Sequence, residues 1–325
     1  MGSRDNVVFL TGPSDLLMFM AGQAEAADRI ADWTIVLIGT PRNIPAAMID
    51  VCRTMAGHDD VGFLDFAQPE ARDRLLDRIG RRFDQVAISH LYGRHETDLL
   101  AALRWESLTL TENGIATYLP PPGRTGGKPG QPLPPPRFLP DRAILPLSAH
   151  PGLGLPSYLS GQARLELRRA SPAILHDLAR ALWPRLAADF PGIVPQGDWL
   201  AVVGTSLSRS GAISEAAEHA AHASALAAAC ARVPGGHVLW KPHPRSLSGL
   251  PGPLPEGVRV LSAPLPLELL LCVAPGRAEI RSIGSSALLS AQVLCGLPAQ
   301  ILPAAIDAAR VPHVALVRRL VENAA

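Results

Sequence analysis

Short apolar runs and longer stretches of helical spacing alternate along most of this chain. Val7–Leu10 is an apolar run closed by Thr11-Gly12-Pro13, a loop signal, and Asp15–Ala31 follows with apolar positions at helical spacing. Thr34–Ile38 is rich in β-branched residues and ends at Gly39-Thr40-Pro41, after which Ile44–Met55 reads as a helix. The alternation continues with a strand at Val61–Phe66, a helix at Pro69–Phe83, a strand at Gln85–Ser89, a helix at Glu96–Trp105 and a strand at Ser107–Thr111. Strands this apolar, separated by helices of about 10–15 residues, predict a parallel sheet covered on both faces.

The pattern then breaks. Leu119–Pro136 is too rich in proline and glycine for a helix or a central strand, and reads as a loop over a site or as a linker. Positions 137–169 show no clean periodicity. Ser171-Pro172 supplies the N-cap and first-turn residues that open a helix. Alternation resumes at Trp199 with a strand at Leu200–Gly204. The alanine-rich stretch Ser214–Arg232 predicts a helix, with Glu215 and Glu218 in the first turn, where the helix dipole favours negative charge. Pro234-Gly235-Gly236 stops it. His237–Lys241, Val258–Ser262, Glu279–Ile283 and Gln300–Leu302 read as strands; Ser286–Cys295 reads as a helix stopped by Gly296, and Val314–Asn323 as a terminal helix. The fold class is therefore α/β. An N-terminal domain over 1–170 and a C-terminal domain over 171–325 are expected, with the junction inside the window 165–195.

Composition narrows the function. A length of 325 residues suits two domains of about 100–200 residues each. The net charge is +1, from 30 Lys+Arg against 29 Asp+Glu, which removes the electrostatic footprint of a nucleic-acid binder. No apolar run approaches the ~20 residues of a membrane span. Met1–Asp5 leads straight into the Val7–Leu10 run, without a signal-peptide pattern. Cys52, Cys230, Cys272 and Cys295 are far apart in sequence, sit in apolar surroundings and form no CxxC pair, so they read as buried thiols in a reducing compartment.

Motifs for dinucleotide binding, P-loops, nucleophile elbows and HExxH zinc sites are missing, as is any Asp-x-Asp pair. Three segments at the C-terminal ends of predicted strands remain, where open α/β sheets bind ligands. In Trp240-Lys241-Pro242-His243-Pro244-Arg245 the prolines stiffen the turn around His243. Its three basic side chains suit a phosphate, and His243 can pair with one or donate a proton to it. An ordinary turn with an exposed histidine gives the same string. In Ile283-Gly284-Ser285-Ser286 a glycine, two hydroxyls and the free N–H groups of a helix start make an anion site, or equally a plain serine N-cap. Thr111-Glu112-Asn113-Gly114 delivers a carboxylate to a strand end before an Asn-Gly turn. That carboxylate is a candidate general base, or a solvated residue in a simple turn.

Taken together and in this order, the segments resemble the bacterial lipooligosaccharide sialyltransferases and capsular polysialyltransferases. Those families share an acidic-acidic-Gly triplet, a His-Pro pair and a Ser-Ser or Ser-Thr pair. Glu112-Asn113-Gly114, followed by Tyr118, is similar to the first, His243-Pro244 to the second, and Ser285-Ser286 to the third. Pro264-Leu265-Pro266-Leu267-Glu268 resembles the segment whose Glu holds the ribose of the cytidine nucleotide. The resemblance implies a GT-B fold, two Rossmann-like domains facing across a cleft, with the acceptor in the first domain and the CMP-sugar in the second. The last helix is expected to pack back on the N-terminal domain. The implied reaction is an inverting transfer of sialic acid from CMP-sialic acid to a glycan hydroxyl of the lipooligosaccharide or capsule type, with no cofactor and no metal.

By this likeness Glu112 and His243 are the catalytic pair, base and phosphate support, while Lys241, Pro244, Glu268, Gly284, Ser285 and Ser286 hold the CMP-sugar and Asn113 and Gly114 shape the turn. Acceptor contacts are expected on Thr11–Ser14, His90–His95 and the Pro-rich loop. The triplet departs from the family pattern at Asn113, where the second acid is expected. A CMP-Kdo transferase of the same fold, a catalytically silent CMP-binding homologue, and a two-domain sugar-nucleotide epimerase remain as alternatives. The expected location is cytoplasmic, compatible with peripheral association at the inner face of the membrane, with a CMP-sugar and a glycan as partners and no nucleic acid.

Overall fold

The computed structural model describes residues 5–23, 29–68, 70–92, 94–119, 136–160, 162–168, 171–189, 197–233, 237–243, 253–262, 264–273 and 278–323. The chain divides into two units, Met1–Ile174 and Leu175–Ala325, each built on its own parallel sheet.

The first unit carries β1 (Asn6–Leu10), α1 (Pro13–Gly22), β2 (Trp33–Gly39), α2 (Ala46–Ala56), β3 (Val61–Asp65), α3 (Ala71–Ile79), β4 (Arg82–Ile88), α4 (Arg94–Ala101), β5 (Arg104–Thr111), β6 (Arg142–Ile144) and β7 (Glu166–Arg168). Its strand order is β3-β2-β1-β4-β5-β6-β7, every pair parallel. Val7, Val8, Phe9 and Leu10 of β1 are all fully buried, as a central strand covered on both faces must be. The order reverses between β1 and β4, the kind of point at which doubly wound sheets open a crevice beyond their strand ends.

Several boundaries differ from those read in the sequence. α3 stops at Ile79, where the Gly80 N–H caps the Leu76 carbonyl, and Phe83 belongs to β4. Trp105 likewise belongs to β5, because the strand lengthens to pair Phe83 with Trp105 in register. In both cases an apolar residue at helical spacing is taken by an adjacent strand of the same core. α1 begins at Pro13 and ends at Gly22, where a Cβ would collide with Ile144 of β6. β6 and β7 lie in the unperiodic middle. Each is only 3 residues long, too short to print a pattern, and they form because β5 leaves an open edge for Thr109–Thr111 to pair with Arg142–Ile144.

The second unit begins within α5 (Pro172–Asp189), whose first turn is capped by Ser171 Oγ at 3.3 Å from the Ile174 N–H. It continues with β8 (Trp199–Val203), α6 (Glu215–Arg232), β9 (His237–Lys241), β10 (Val258–Val260), α7 (Leu267–Val273), β11 (Ala278–Ser282), α8 (Ala287–Cys295), β12 (Ala299–Ile301) and α9 (Pro312–Asn323). The sheet runs β10-β9-β8-β11-β12, again all parallel, with its reversal between β8 and β11. α7 is not among the elements the sequence pattern predicts; the ligand segment Pro264–Glu268 overlaps only its first turn. Inside its own unit α9 rests on α8 and β12. Ser214 caps α6, accepting the Ala217 N–H at 3.2 Å.

The Pro-rich stretch 120–135, the stop at 234–236 and the pair Pro244 and Arg245 lie outside the described residues. The cysteines are less scattered than their spacing suggests. Cys272 at the end of α7 and Cys295 at the end of α8 bring their sulfurs to 3.7 Å, since the two helices pack side by side. Only Cys52 is fully buried; the other three are half-buried free thiols.

Candidate functional site

In the second unit, strand register sets the geometry. Val203 at the end of β8 pairs with Lys241 on one side and with Ser282 on the other. Parallel strands lie about 4.8 Å apart, so the ends of β9 and β11 stand roughly 10 Å apart with the β8 turn between them. His243 follows Lys241 by two residues, and Gly284-Ser285-Ser286 follows Ser282 directly. The switch point therefore gathers two of the three segments singled out in the sequence.

Each edge of this crevice is fixed by a buried polar group. Ser282 is fully buried; its hydroxyl donates to the Val203 carbonyl at 2.9 Å and accepts the N–H groups of Ser285 and Gly284 at 3.1 and 3.4 Å. That wraps the chain tightly before α8. Ser285 Oγ accepts the Ala287 N–H at 3.3 Å, so one hydroxyl of the pair already caps the helix start, while the Ser286 carbonyl accepts from Leu289 and Ser290. Gly284 is required for packing rather than for ligand space, because a Cβ there would run into Val314 of α9. At Gly204 a Cβ would stand 2.9 Å from the Trp240 ring and 3.0 Å from the His243 backbone nitrogen. The absence of a side chain lets the β8 and β9 turns lie against each other, which places His243 beside the crevice.

Lys241 does not point its charge into open space. Its Nζ donates to the Leu265 carbonyl at 2.9 Å, tying the end of β9 to the segment that opens α7. Burial pushes the ammonium down to about 8, against the pull of the nearby Glu268 carboxylate. Glu268 is buried in the first turn of α7. The Leu265–Glu268 segment thus joins the crevice through Lys241, a link that sequence spacing alone does not give.

Glu218, expected from the sequence as a partner of the helix dipole in the first turn of α6, has a further role: it is 3% exposed and accepts from Thr205 Oγ at 2.5 Å and from the N–H groups of Leu207 and Ser208, each at 2.9 Å. Burial pushes its carboxyl up, but the hydrogen bonds from Ser208, Thr205 and Leu207 outweigh this and leave it below its ordinary value. It clamps the turn that follows β8. The only hint in the sequence is a carboxylate at the start of a helix facing a Thr-Ser-Leu-Ser turn.

In the first unit, Phe9 pairs with Ile88 and Ile88 with Leu110. Two residues further on, Thr11, His90 and Glu112 stand side by side at the C-terminal edge. Glu112 is 1% exposed, and its Oε2 accepts the Tyr118 hydroxyl at 2.6 Å and the Leu147 N–H at 2.9 Å. Burial, then the Glu112 charge, push the Tyr118 hydroxyl far up, so it stays a donor. The carboxylate is turned inward, where it holds the turn after β5 to the turn after β6.

Asn113 faces the other way. Its Nδ2 lies 3.1 Å from Thr11 Oγ and 2.7 Å from His90 Nε2, and its N–H donates to Thr117 Oγ at 2.8 Å. Gly114, at φ 52, takes the left-handed turn that this path needs and that a side chain disfavours. Thr11 in turn donates its N–H at 2.8 Å and its hydroxyl at 2.7 Å to Asp15 Oδ2. Asp15 is buried, and burial raises its carboxyl against the opposing pull of these bonds and of His90. A polar chain Asp15–Thr11–Asn113–His90 therefore lines the reversal point of the first sheet. His95, by contrast, is exposed and stacks on Phe66 with ring centroids 4.4 Å apart.

No protein-family model and no curated protein sequence matches the chain. Solved structures do. An α/β-galactoside α-2,3-sialyltransferase from Photobacterium phosphoreum aligns over 98% of this chain and 96% of its own, at 12% identity and a TM-score of 0.51. A 2,6-sialyltransferase from a Photobacterium species, solved with CMP and lactose, aligns over 87% of this chain and 69% of its own, at 10% identity and a TM-score of 0.43. A UDP-GlcNAc 2-epimerase from Neisseria meningitidis, bound to UDP-GlcNAc, aligns over 98% of this chain and 89% of its own, at 10% identity and a TM-score of 0.43. The first of these likenesses establishes the fold: an α/β chain with the two Rossmann-like units of the GT-B class.

Proposed function

We propose that this chain is an inverting glycosyltransferase that moves sialic acid from CMP-sialic acid to a glycan hydroxyl of the lipooligosaccharide or capsule type. The observation that supports the reading is the register at the second switch point: Lys241, two residues before His243, and Ser282, directly before Gly284-Ser285-Ser286, both pair with Val203, and Lys241 is tied to Leu265 ahead of Glu268. A nucleotide monophosphate leaving group needs positive field at its departing oxygen. Lys241, His243 and the hydroxyls of Ser285 and Ser286 at the start of α8 are the groups that would supply it, and Glu268 would take the ribose hydroxyls. The sialyltransferase from P. phosphoreum shares the fold, and the donor class comes from the motif resemblance. The reaction as read uses no resident metal or cofactor.

The first unit would hold the acceptor, with Glu112 in the role of base that the triplet resemblance gives it. Its burial and its bonds to Tyr118 and Leu147 favour a second reading, a CMP-binding homologue that transfers nothing.

Calorimetry with CMP and assays of CMP release from CMP-Neu5Ac and from CMP-Kdo, with and without galactosyl or sialyl acceptors, separate these readings. CMP binding should weaken about tenfold or more in the double variant Ser285→Ala, Ser286→Ala, since each lost bond to a charged group costs ~1.5–3 kcal/mol. Unchanged affinity rejects the nucleotide site. CMP bound tightly without release from either donor selects the silent homologue.

A further inference from the structure

We propose that Asn113 is a positioning residue that fixes the His90 imidazole as the neutral tautomer with its proton on Nδ1, so that the first unit presents a neutral N–H donor to an oxygen of the acceptor sugar. The part concerning the sugar rests on the reading of that unit as the acceptor half; the tautomer does not.

The argument is a count of protons. Thr11 directs both its N–H and its hydroxyl at one oxygen, Asp15 Oδ2, at 2.8 and 2.7 Å. That oxygen accepts both, whether or not the carboxyl carries a proton on Oδ1. The single hydroxyl proton of Thr11 is then used, and Thr11 Oγ can only accept from Asn113 at 3.1 Å. This orients the Asn113 amide with its NH2 toward Thr11. The second proton of the same NH2 faces His90 Nε2 at 2.7 Å, so Nε2 is an acceptor and the ring proton sits on Nδ1. The amide is held in place by its own backbone N–H on Thr117 and by the left-handed turn at Gly114. Glu112, beside His90 at the strand edge, turns inward onto Tyr118 and Leu147; among the described residues, the titratable groups that face this chain are Asp15 of α1 and, beyond it, Cys52 of α2, whose thiol is pushed up first by burial and then by the Asp15 charge. Both are buried, whereas His90 is half-exposed at the strand end.

The departure from the acidic-acidic-Gly pattern now has a physical consequence. A carboxylate at position 113 has no proton for Thr11 Oγ or for His90 Nε2. Nε2 could meet it only as an N–H, either by moving the ring proton from Nδ1 to Nε2 or by taking up a second proton. Asparagine at 113 therefore goes with a bare Nε2 on His90, and an acid there with a protonated Nε2.

The test uses the full chain labelled with 15N. Long-range proton–nitrogen correlation spectra at neutral pH, with the His90 signals identified by their loss in His90→Asn, should show a protonated Nδ1 and a bare Nε2. Asn113→Asp should show a protonated Nε2. A wild-type ring protonated on Nε2, or an Asn113→Asp spectrum identical to wild type, overturns the proposal; the first measurement needs no variant to fold.

The acceptor arm compares His90→Asn, whose side-chain N–H takes the place of Nδ1–H, with His90→Ala. KM for lactose should rise about tenfold in His90→Ala, the loss of one hydrogen bond, and recover in His90→Asn, with CMP affinity unchanged in both. No recovery in His90→Asn refutes the donor role. If the wild-type protein releases no CMP from any CMP-sugar, it is the transfer reading that fails, and the spectra still decide the part played by Asn113.

Discussion

Removing the Glu218 carboxylate should destabilise the second unit and loosen its crevice at once. The side chain is 3% exposed and holds Thr205, Leu207 and Ser208 through bonds of 2.5, 2.9 and 2.9 Å. In Glu218→Gln one oxygen still serves Thr205 and Leu207, but an NH2 now meets the Ser208 N–H. One donor–acceptor pair becomes two donors, a loss of about 1–3 kcal/mol. In Glu218→Ala three buried donors lose their partner together, and because they share one group their costs do not simply add; about 3–5 kcal/mol is expected. Urea unfolding followed by the fluorescence of Trp199 and Trp240, both in this unit, measures the change.

The pH dependence carries a sign. Glu218 lies below its ordinary value of 4.5 in the folded protein, so its contribution is complete above that value and is lost as pH falls through the folded value. The gap between wild type and Glu218→Gln should be full at neutral pH and shrink in acid. CMP affinity should fall as well, since the clamped turn abuts His243 through Gly204. A Glu218→Gln protein within about 0.5 kcal/mol of wild type at neutral pH refutes the reasoning.

CMP affinity of the wild-type protein should decline as pH rises through about 8, where burial has brought the Lys241 ammonium, and Lys241→Met should bind more weakly and lose that slope in calorimetry. Glu112→Gln should lower transfer by about 10²–10⁴-fold while CMP binding survives, because the residue belongs to the other unit. Transfer kept above about half of wild type puts the base elsewhere, and lost CMP binding makes Glu112 a structural residue.

The α/β class and most elements were legible because apolar runs in buried parallel strands and alanine-rich helices obey local rules. Val7–Leu10 and Ser214–Arg232 declare themselves without any partner. The reversal points were not legible, because strand order depends on which edges meet in space. Only that order puts Thr11 beside His90 and Asn113, residues separated in the chain by several strands and helices. Short strands such as β6 and β7 exist because β5 offers an edge, and three residues cannot print a period.

The chemistry of the candidate residues divides in the same way. Position in sequence marked Glu112, Lys241 and Glu218 as charged groups at strand ends or helix starts. Burial and hydrogen-bond partners decided what each does: Glu112 turned inward onto Tyr118, Lys241 tied to Leu265, Glu218 closed on the turn after β8. A charge drawn out of water must find partners, and those partners come from whatever the fold has brought near, so sequence names the group while tertiary packing sets its role.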